Sequence, residues 1–434
     1  MRLKRLSFAS INLLVVAAVS LLLTPGTWAA SKYKVLYNFK GGDDAEGGLY
    51  GSLAFDQQGD LFGTAGGGGQ NSNCGGTCGV VYELTPNGNG GWTESIAFDF
   101  QYSGTGYGPL GGVILGPSEN LYGTDQRGGT YDNGVVFALT PNGSGWAESI
   151  LYNFGRSYGS PFSGLVRDAA GNLYGVAGSL YELSPKIGGG WTEHVLYHFH
   201  PHAGKDGTDG YAPVGALVLD AVGNLCGATE LGGNYPPMCS GSAGCGTVYE
   251  LTPEADGKWK EHVLHRFAQF KNDGQLPEAG VVIDQHGNLY GTTMEGGSFR
   301  NKDVCLVGCG TVFELTKDAK GHWREVILHS FDNGEGGNGP LAPVILDKAG
   351  NLYGTASAGG TQNQYCGPLG CGVVFKLTRP ANGRWKYSVL HSFTGYDGNG
   401  LIAGLTFDAK GNLYGATLSG GAYGYGVVFE LEPR

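Results

Sequence analysis

Short apolar runs alternate with polar positions along the chain, and glycine punctuates them. Between residues 280 and 331, Gly280-Val281-Val282-Ile283-Asp284 is followed by the turn Asp284-Gln285-His286-Gly287 and then by Asn288 to Thr293. A glycine-rich loop leads to Gly310-Thr311-Val312-Phe313-Glu314-Leu315, and a second turn rich in Gly and Asx leads to Trp323 through Phe331. Period-two alternation and β-branched content predict four strands, here named a, b, c and d. The D-x-x-G turn suits the a–b hairpin, because Asp bonds the turn backbone and Gly takes the positive φ.

This unit repeats. Gly287-Asn288-Leu289-Tyr290-Gly291-Thr292 returns as Gly350 to Thr355, Gly171 to Val176, Gly223 to Ala228 and Gly411 to Ala416, with looser copies at Gly59 to Thr64 and Glu119 to Thr124. The shared Leu stands at Leu61, Leu121, Leu173, Leu225, Leu289, Leu352 and Leu413, so there are seven copies spaced 52–64 residues apart. Repeats of this length, each too small to bury its own apolar face, mark a solenoid or propeller. Six d strands open on Trp92, Trp146, Trp191, Trp259, Trp323 and Trp385, and the seventh is Tyr33 to Phe39 near the amino end. The last unit ends on a c strand, Val427 to Leu431, and lacks a d strand of its own. The spare amino-terminal strand fills that gap. The prediction is therefore all-β: a seven-bladed β-propeller of four-stranded blades, its ring closed by the amino-terminal strand d against the carboxyl-terminal strands a to c.

Composition narrows the picture. Of 434 residues 82 are Gly, yet 41% are apolar and 12% aromatic, which excludes collagen and low-complexity sequence. Long helices are not expected, since Gly costs roughly 1 kcal/mol relative to Ala inside one. The formal net charge is −11. Arg2, Lys4 and Arg5 precede the apolar run Ile11 to Leu23 and the small-residue segment Thr27-Trp28-Ala29, the three-part pattern of a signal peptide. Residues 1–29 are thus read as a leader cleaved near Ala29, and residues 30–434 as one propeller domain. Removing the leader leaves 24 cations against 38 acids, a net −14 without a basic cluster. Nucleic acid is excluded as a partner. The apolar run is shorter than the roughly 20 residues a membrane span needs, and no other run approaches that length. An exported monomer with no membrane span in the mature chain is expected, periplasmic or extracellular.

The G-N-L-Y-G-T … G-G … G-x-V-F-E-L-T pattern resembles the "GloVer" (Gly-, Leu- and Val-rich) tandem-repeat family of exported bacterial proteins, over essentially the whole mature chain. The resemblance implies an extracytoplasmic repeat protein and carries no catalytic residues with it. Anchored members have tails beyond the repeats. Here the sequence runs to Glu432-Pro433-Arg434 directly after a strand, so anchoring is not expected.

Eight of nine Cys form close pairs, Cys74/Cys78, Cys239/Cys245, Cys305/Cys309 and Cys366/Cys371, each in a b–c loop just before the Gly that opens strand c. In an exported chain these read as four local disulfides rather than thiolate metal sites. Cys226 replaces the Tyr of the repeat and reads as a buried thiol.

The a–b and c–d turns are uniform, whereas the b–c and d–a loops vary, and variable loops on a rigid scaffold are where binding residues sit. Loop tyrosines gather there, and the candidate binding residues are Tyr107, Tyr131, Tyr158, Tyr211, Tyr235, Tyr365, Tyr396 and Tyr423, with the loop acids Asp209, Asp273 and Asp397. Tyr offers a flat apolar face and a polar tip. No cofactor is expected: the loop acids read as solvated, with Ca²⁺ held by loop carboxylates as the alternative. The His198-x-His200-x-His202 run reads as a solvated strand end, and His265, His329 and His391 share a column with Tyr37, Tyr152 and Tyr197, the mark of packing residues. Glu83, Glu182, Glu250, Glu314 and Glu430 in strand c are expected to pair with Lys or Arg on strand d. No nucleophile, zinc-protease, phosphate-loop or dinucleotide motif is present. The expected function is non-enzymatic binding of an extracellular glycan or protein through the b–c and d–a loop face. The alternative is a propeller lyase or hydrolase acting on polysaccharide through His198, His200 or loop carboxylates.

Overall fold

A computed structural model describes residues 31–433 apart from 48–49, 72–73, 75–77, 103–104, 144, 157–158, 200–208, 234–238, 240–242, 300–303 and 382–383. The leader and the predicted site residues Tyr158 and Tyr235, with His200 and His202, lie outside the described residues.

Seven antiparallel four-stranded sheets form the blades of a β-propeller. In blade 5, strand a is Val282–Ile283, b is Leu289–Thr293, c is Thr311–Lys317 and d is Trp323–Ser330. Blade 7 joins Thr406–Phe407, Leu413–Ala416 and Val427–Glu432 to the amino-terminal Lys32–Asn38. The closing strand runs in register from Lys32 opposite Glu432 to Asn38 opposite Val427. The ring thus closes as the repeat count requires.

Each residue of the repeat has a physical task. Asp284 Oδ1 accepts the amides of His286 (2.8 Å) and Asn288 (2.9 Å), while Oδ2 accepts the Asn288 side chain (3.0 Å) and the Tyr290 hydroxyl (3.1 Å). Asp347 repeats all four bonds. The Leu between Asn and Tyr is fully buried in every blade. Gly291 leaves room for the Phe313 ring, which would stand 2.5 Å from an added Cβ. The strand-c glutamates depart from expectation. Glu314 accepts the Tyr290 hydroxyl (2.8 Å) and Glu430 that of Tyr414 (3.0 Å), and among the described residues none of Glu83, Glu182, Glu250, Glu314 and Glu430 joins an ion pair, although Glu432 at the end of the last strand c pairs with Lys32 (3.3 Å). The neighbouring Tyr is already held by the turn and offers a donor without ordering a long cationic side chain.

Except in blade 4, where it runs over Gly210–Leu219, strand a is only two or three residues long, shorter than the five its sequence suggests. Just before it, the backbone turns from its own sheet to touch a neighbouring blade. An added Cβ on Gly51 would lie 2.2 Å from Gly112 Cα, and one on Gly280 would lie 2.1 Å from the Ala216 carbonyl oxygen. Blades also meet through aromatic edges. Trp92, Trp191, Trp259 and Trp385 pack on the strand-b tyrosines Tyr414, Tyr122, Tyr174 and Tyr290 of the preceding blade, at 6.2–6.5 Å between centroids. Where that Tyr is Cys226, the Lys317 ammonium lies 4.6 Å from the Trp323 ring instead.

Candidate functional site

The d–a and b–c loops of a blade do lie together, because they pair. Ala45–Glu46 pairs with Gly67–Gly68, Gly106–Tyr107 with Arg127–Gly128, and Gly274–Gln275 with Glu295–Gly296. Single bridges join Asn338 to Ala358 and Asn399 to Ser419. These ribbons carry both variable loops on one face of the ring.

Four disulfides stiffen that face, with Cα atoms 5.3 Å apart at Cys74–Cys78, 5.5 Å at Cys239–Cys245, 5.1 Å at Cys305–Cys309 and 4.9 Å at Cys366–Cys371. Closing such short loops is worth roughly 2–3 kcal/mol each in the chain-entropy account. Cys226 is free and buried, and burial pushes its thiol up to about 12. Thiol labelling should therefore find no reactive group in the folded chain, one after denaturation and nine after denaturation with reductant. Nine without reductant would exclude the disulfides.

The predicted tyrosines are not equivalent. Tyr131, Tyr365, Tyr396 and Tyr423 are exposed, whereas Tyr107 and Tyr211 are half-buried. Tyr107 bonds Asp132 (3.3 Å) and leans on Tyr102, with centroids 5.6 Å apart. Tyr131 borders an open cleft of about 620 Å³ with Tyr152, Asn153, Gly155 and Arg156. Tyr365 and Tyr396 come together from the b–c loop of blade 6 and the d–a loop that follows it. Their centroids are 4.3 Å apart, and the residues are 52% and 62% exposed. Tyr365 is held from beneath. Its amide and that of Cys366 donate to Asn363 Oδ1 (2.8 and 2.9 Å), and Asn363 Nδ2 donates to the Thr394 carbonyl (3.0 Å). Gly395 fits under the pair because a Cβ there would lie 2.8 Å from Tyr365 Cβ.

The three predicted acids do different work. Asp273 accepts the amides of Gln269 and Gly274 (both 2.7 Å), Asp397 accepts the Thr394 amide and hydroxyl (both 2.8 Å), and Asp209 accepts the Tyr197 hydroxyl (2.8 Å). Asp273 and Asp397 thus cap their d–a loops, while Asp209 holds Tyr197 of strand d. His198 Nδ1 lies 2.8 Å from Ser179 Oγ on the neighbouring strand.

The repeat sequence decides the family. The family model of the Gloeobacter/Verrucomicrobia repeat matches residues 23–237, 177–369 and 237–434. The chain belongs to the Gloeobacter/Verrucomicrobia repeat family. Solved structures similar to this member include a Lactobacillus plantarum protein (13% identity, 78% of this chain and 83% of that one, TM-score 0.45). A Dyadobacter fermentans protein of unknown function (13%, 93% and 98%, 0.42) and a luciferin-regenerating enzyme (11%, 93% and 96%, 0.43) are also similar. No curated protein matches this repeat-family chain. Among the described residues, no helix is long and apolar enough to cross a membrane.

Sequence reasoning missed the buried carboxyls between blades. Glu94, Glu148 and Glu261, each two residues after a Trp, are pushed up to about 7, chiefly by burial. Asp44 beside Glu94 and Asp209 beside Glu261 add to the shift, against Lys40 and Arg266 respectively. Asp125, buried near Glu148, is raised as well. The signal was a Glu recurring in the column of an apolar-flanked strand. A carboxyl raised in the folded state favours folding fully below its unfolded value near 4.5, and that contribution is lost as pH rises through about 7. Asp284, Asp347 and Asp397 are lowered by the hydrogen bonds they accept, so their contribution is lost as pH falls below about 4. Thermal melts should give the highest Tm near about pH 4–5 and a lower one at pH 8, and Glu261→Gln should flatten the upper limb. A Tm that rises from pH 5 to 8 would contradict this.

Proposed function

We propose that this chain is an exported, non-enzymatic binding module whose b–c and d–a loop face takes an extracellular glycan. The observation that carries this reading is the Tyr365–Tyr396 pair, exposed on both rings yet held in place by Asn363, Gly395 and the Cys366–Cys371 bridge. An aromatic pair used only for packing would sit inward, as Tyr82 and Tyr290 do. A sugar ring presents flat C–H faces that stack on such a platform, and its hydroxyls reach polar loop groups. Pre-ordering the rings lowers the entropy cost of capture. Export supplies the oxidising compartment in which four local disulfides persist.

The test is binding of residues 30–434 to a panel of cell-wall and plant polysaccharides, with and without Ca²⁺, assaying the same wells for reducing ends or unsaturated sugars. Binding without product supports the module, and loss on chelation would add Ca²⁺ to it. Release of product would replace it with the polysaccharide-active enzyme. Failure to bind any sugar would overturn the glycan reading and leave a protein partner to be sought by pull-down.

A further inference from the structure

At the junctions between blades, a residue near the end of one strand d meets the residue two places after the Trp position in the next strand d. Two pairings recur. In the first, Tyr37 donates to Glu94 (3.4 Å), and Tyr197 faces Glu261. In the second, His329 stacks on Tyr387 (centroids 3.7 Å apart, planes at 4°) and His391 on Tyr33 (3.8 Å, 3°). Tyrosine thus meets glutamate, and histidine meets tyrosine. The junction of blades 4 and 5 follows neither pattern, because there His265 meets Glu325.

His265 Nε2 lies 3.5 Å from Asp273 Oδ1 and 3.7 Å from Glu325 Oε2. The side chains of the three are 8%, 1% and 1% exposed. His265 Nε2 has no hydrogen-bond partner, and beyond that imidazole the buried Glu325 carboxyl faces only another acid, Asp273. Leaving buried polar groups in that condition is costly, and more so for a charge. Two carboxylates buried against each other repel, and a cation bound between them would remove that repulsion. Asp273 is already aimed by its two backbone amides at 2.7 Å, the outer support that metal-binding carboxylates use. Among the described residues this is the one group of three such side chains whose ligand atoms all lie within 4.8 Å. Bonds of about 2.0–2.2 Å to zinc place tetrahedral ligand atoms about 3.3–3.6 Å apart, close to the separations here. An imidazole among carboxylates suits Zn²⁺ better than Ca²⁺, which takes oxygen alone.

We propose that His265, Asp273 and Glu325 form a zinc site that ties blade 4 to blade 5. The His column makes sense in this light. At the tyrosine junctions an Asp also stands beside the pair, taking the hydroxyl hydrogen of Tyr37 (Asp44, 3.0 Å) or Tyr197 (Asp209, 2.8 Å), whereas His265 opposite Glu325, with Asp273 beside it, makes a ligand set of one nitrogen and two carboxylates. The fourth position is left for water.

The test is metal-stripped residues 30–434 titrated with Zn²⁺ against a chromogenic chelator, with melting followed in parallel and Co²⁺ as a spectroscopic probe. One Zn²⁺ per chain, a raised Tm and the visible bands of tetrahedral Co²⁺ are expected. His265→Tyr restores the tyrosine–glutamate pairing of other junctions, so it should fold while binding Zn²⁺ about 100-fold more weakly or worse. Glu325→Gln keeps the shape and should lose zinc likewise, which decides the matter should His265→Tyr misfold. No uptake by the parent chain would overturn the site and leave Glu325 sharing a proton with Asp273. Undiminished uptake by the folded variants would overturn it equally.

Discussion

The double variant Tyr365→Ala/Tyr396→Ala is expected to lose glycan binding by about 1,000-fold while its Tm stays within a few degrees of the parent. The two halves of this expectation rest on different physics. Aromatic anchors at the centre of a binding surface cost about 2 kcal/mol or more each when truncated, so two remove about 4 kcal/mol, close to three decades in Kd. For folding, both rings are more than half exposed, and substitutions at such sites usually move stability by no more than about 0.5 kcal/mol each. Tyr→Phe at both positions should retain most of the binding if stacking carries it, and should lose most if the hydroxyls do. Tyr425→Ala is a poor control, because its ring covers Gly41 and its loss disturbs the closing loop. The Tyr102/Tyr107 pair is the better comparison. It sits two blades away around the ring, is partly spent on Asp132, and should matter less. Calorimetry or affinity electrophoresis on the best ligand of the panel measures all of this. Unchanged affinity in the double variant would remove the platform from the function.

Much of the fold was legible because each letter of the repeat answers a local demand. Asp284 and Gly287 make the turn, Leu289 fills the core, and Gly291 yields space to Phe313, all within one blade. The disulfides were legible for the same reason, since each partner lies four to six residues away. What the sequence hid lies between blades. His265 reads as one more member of a Tyr/His column until geometry places Glu325, sixty residues on, against it. Strand a loses its first residues to a contact with a neighbouring blade that no local pattern announces. The site was legible only as a face. Composition put Tyr and Asp in the same loops, but a carboxylate three or four residues from a bare loop amide caps that loop, so Asp273 and Asp397 turned inward while Tyr365 and Tyr396 stayed in water.

Deleting residues 31–39 should abolish cooperative folding, although it leaves six blades complete. The lost segment buries Leu36 and Phe39, packs Phe39 on Tyr82 of blade 1 (centroids 5.0 Å apart) and stacks Tyr33 on His391 of blade 6. Its strand also covers Val427–Glu432 over the full register. Three large side chains at about 1.5–3 kcal/mol each approach the 5–15 kcal/mol by which a whole domain is stable, and the deletion adds an uncovered strand edge open to aggregation. A circular permutant separates this account from simple damage. Moving residues 31–39 to follow residue 433 through an Asn-Gly turn makes the closing pair an ordinary c–d hairpin like the other six. That permutant should melt cooperatively within a few degrees of the parent, because every interblade contact is kept. If the deletion variant melts as sharply as the parent, stability is local to each blade, as in an open repeat array, and the closing strand is not what holds the ring together.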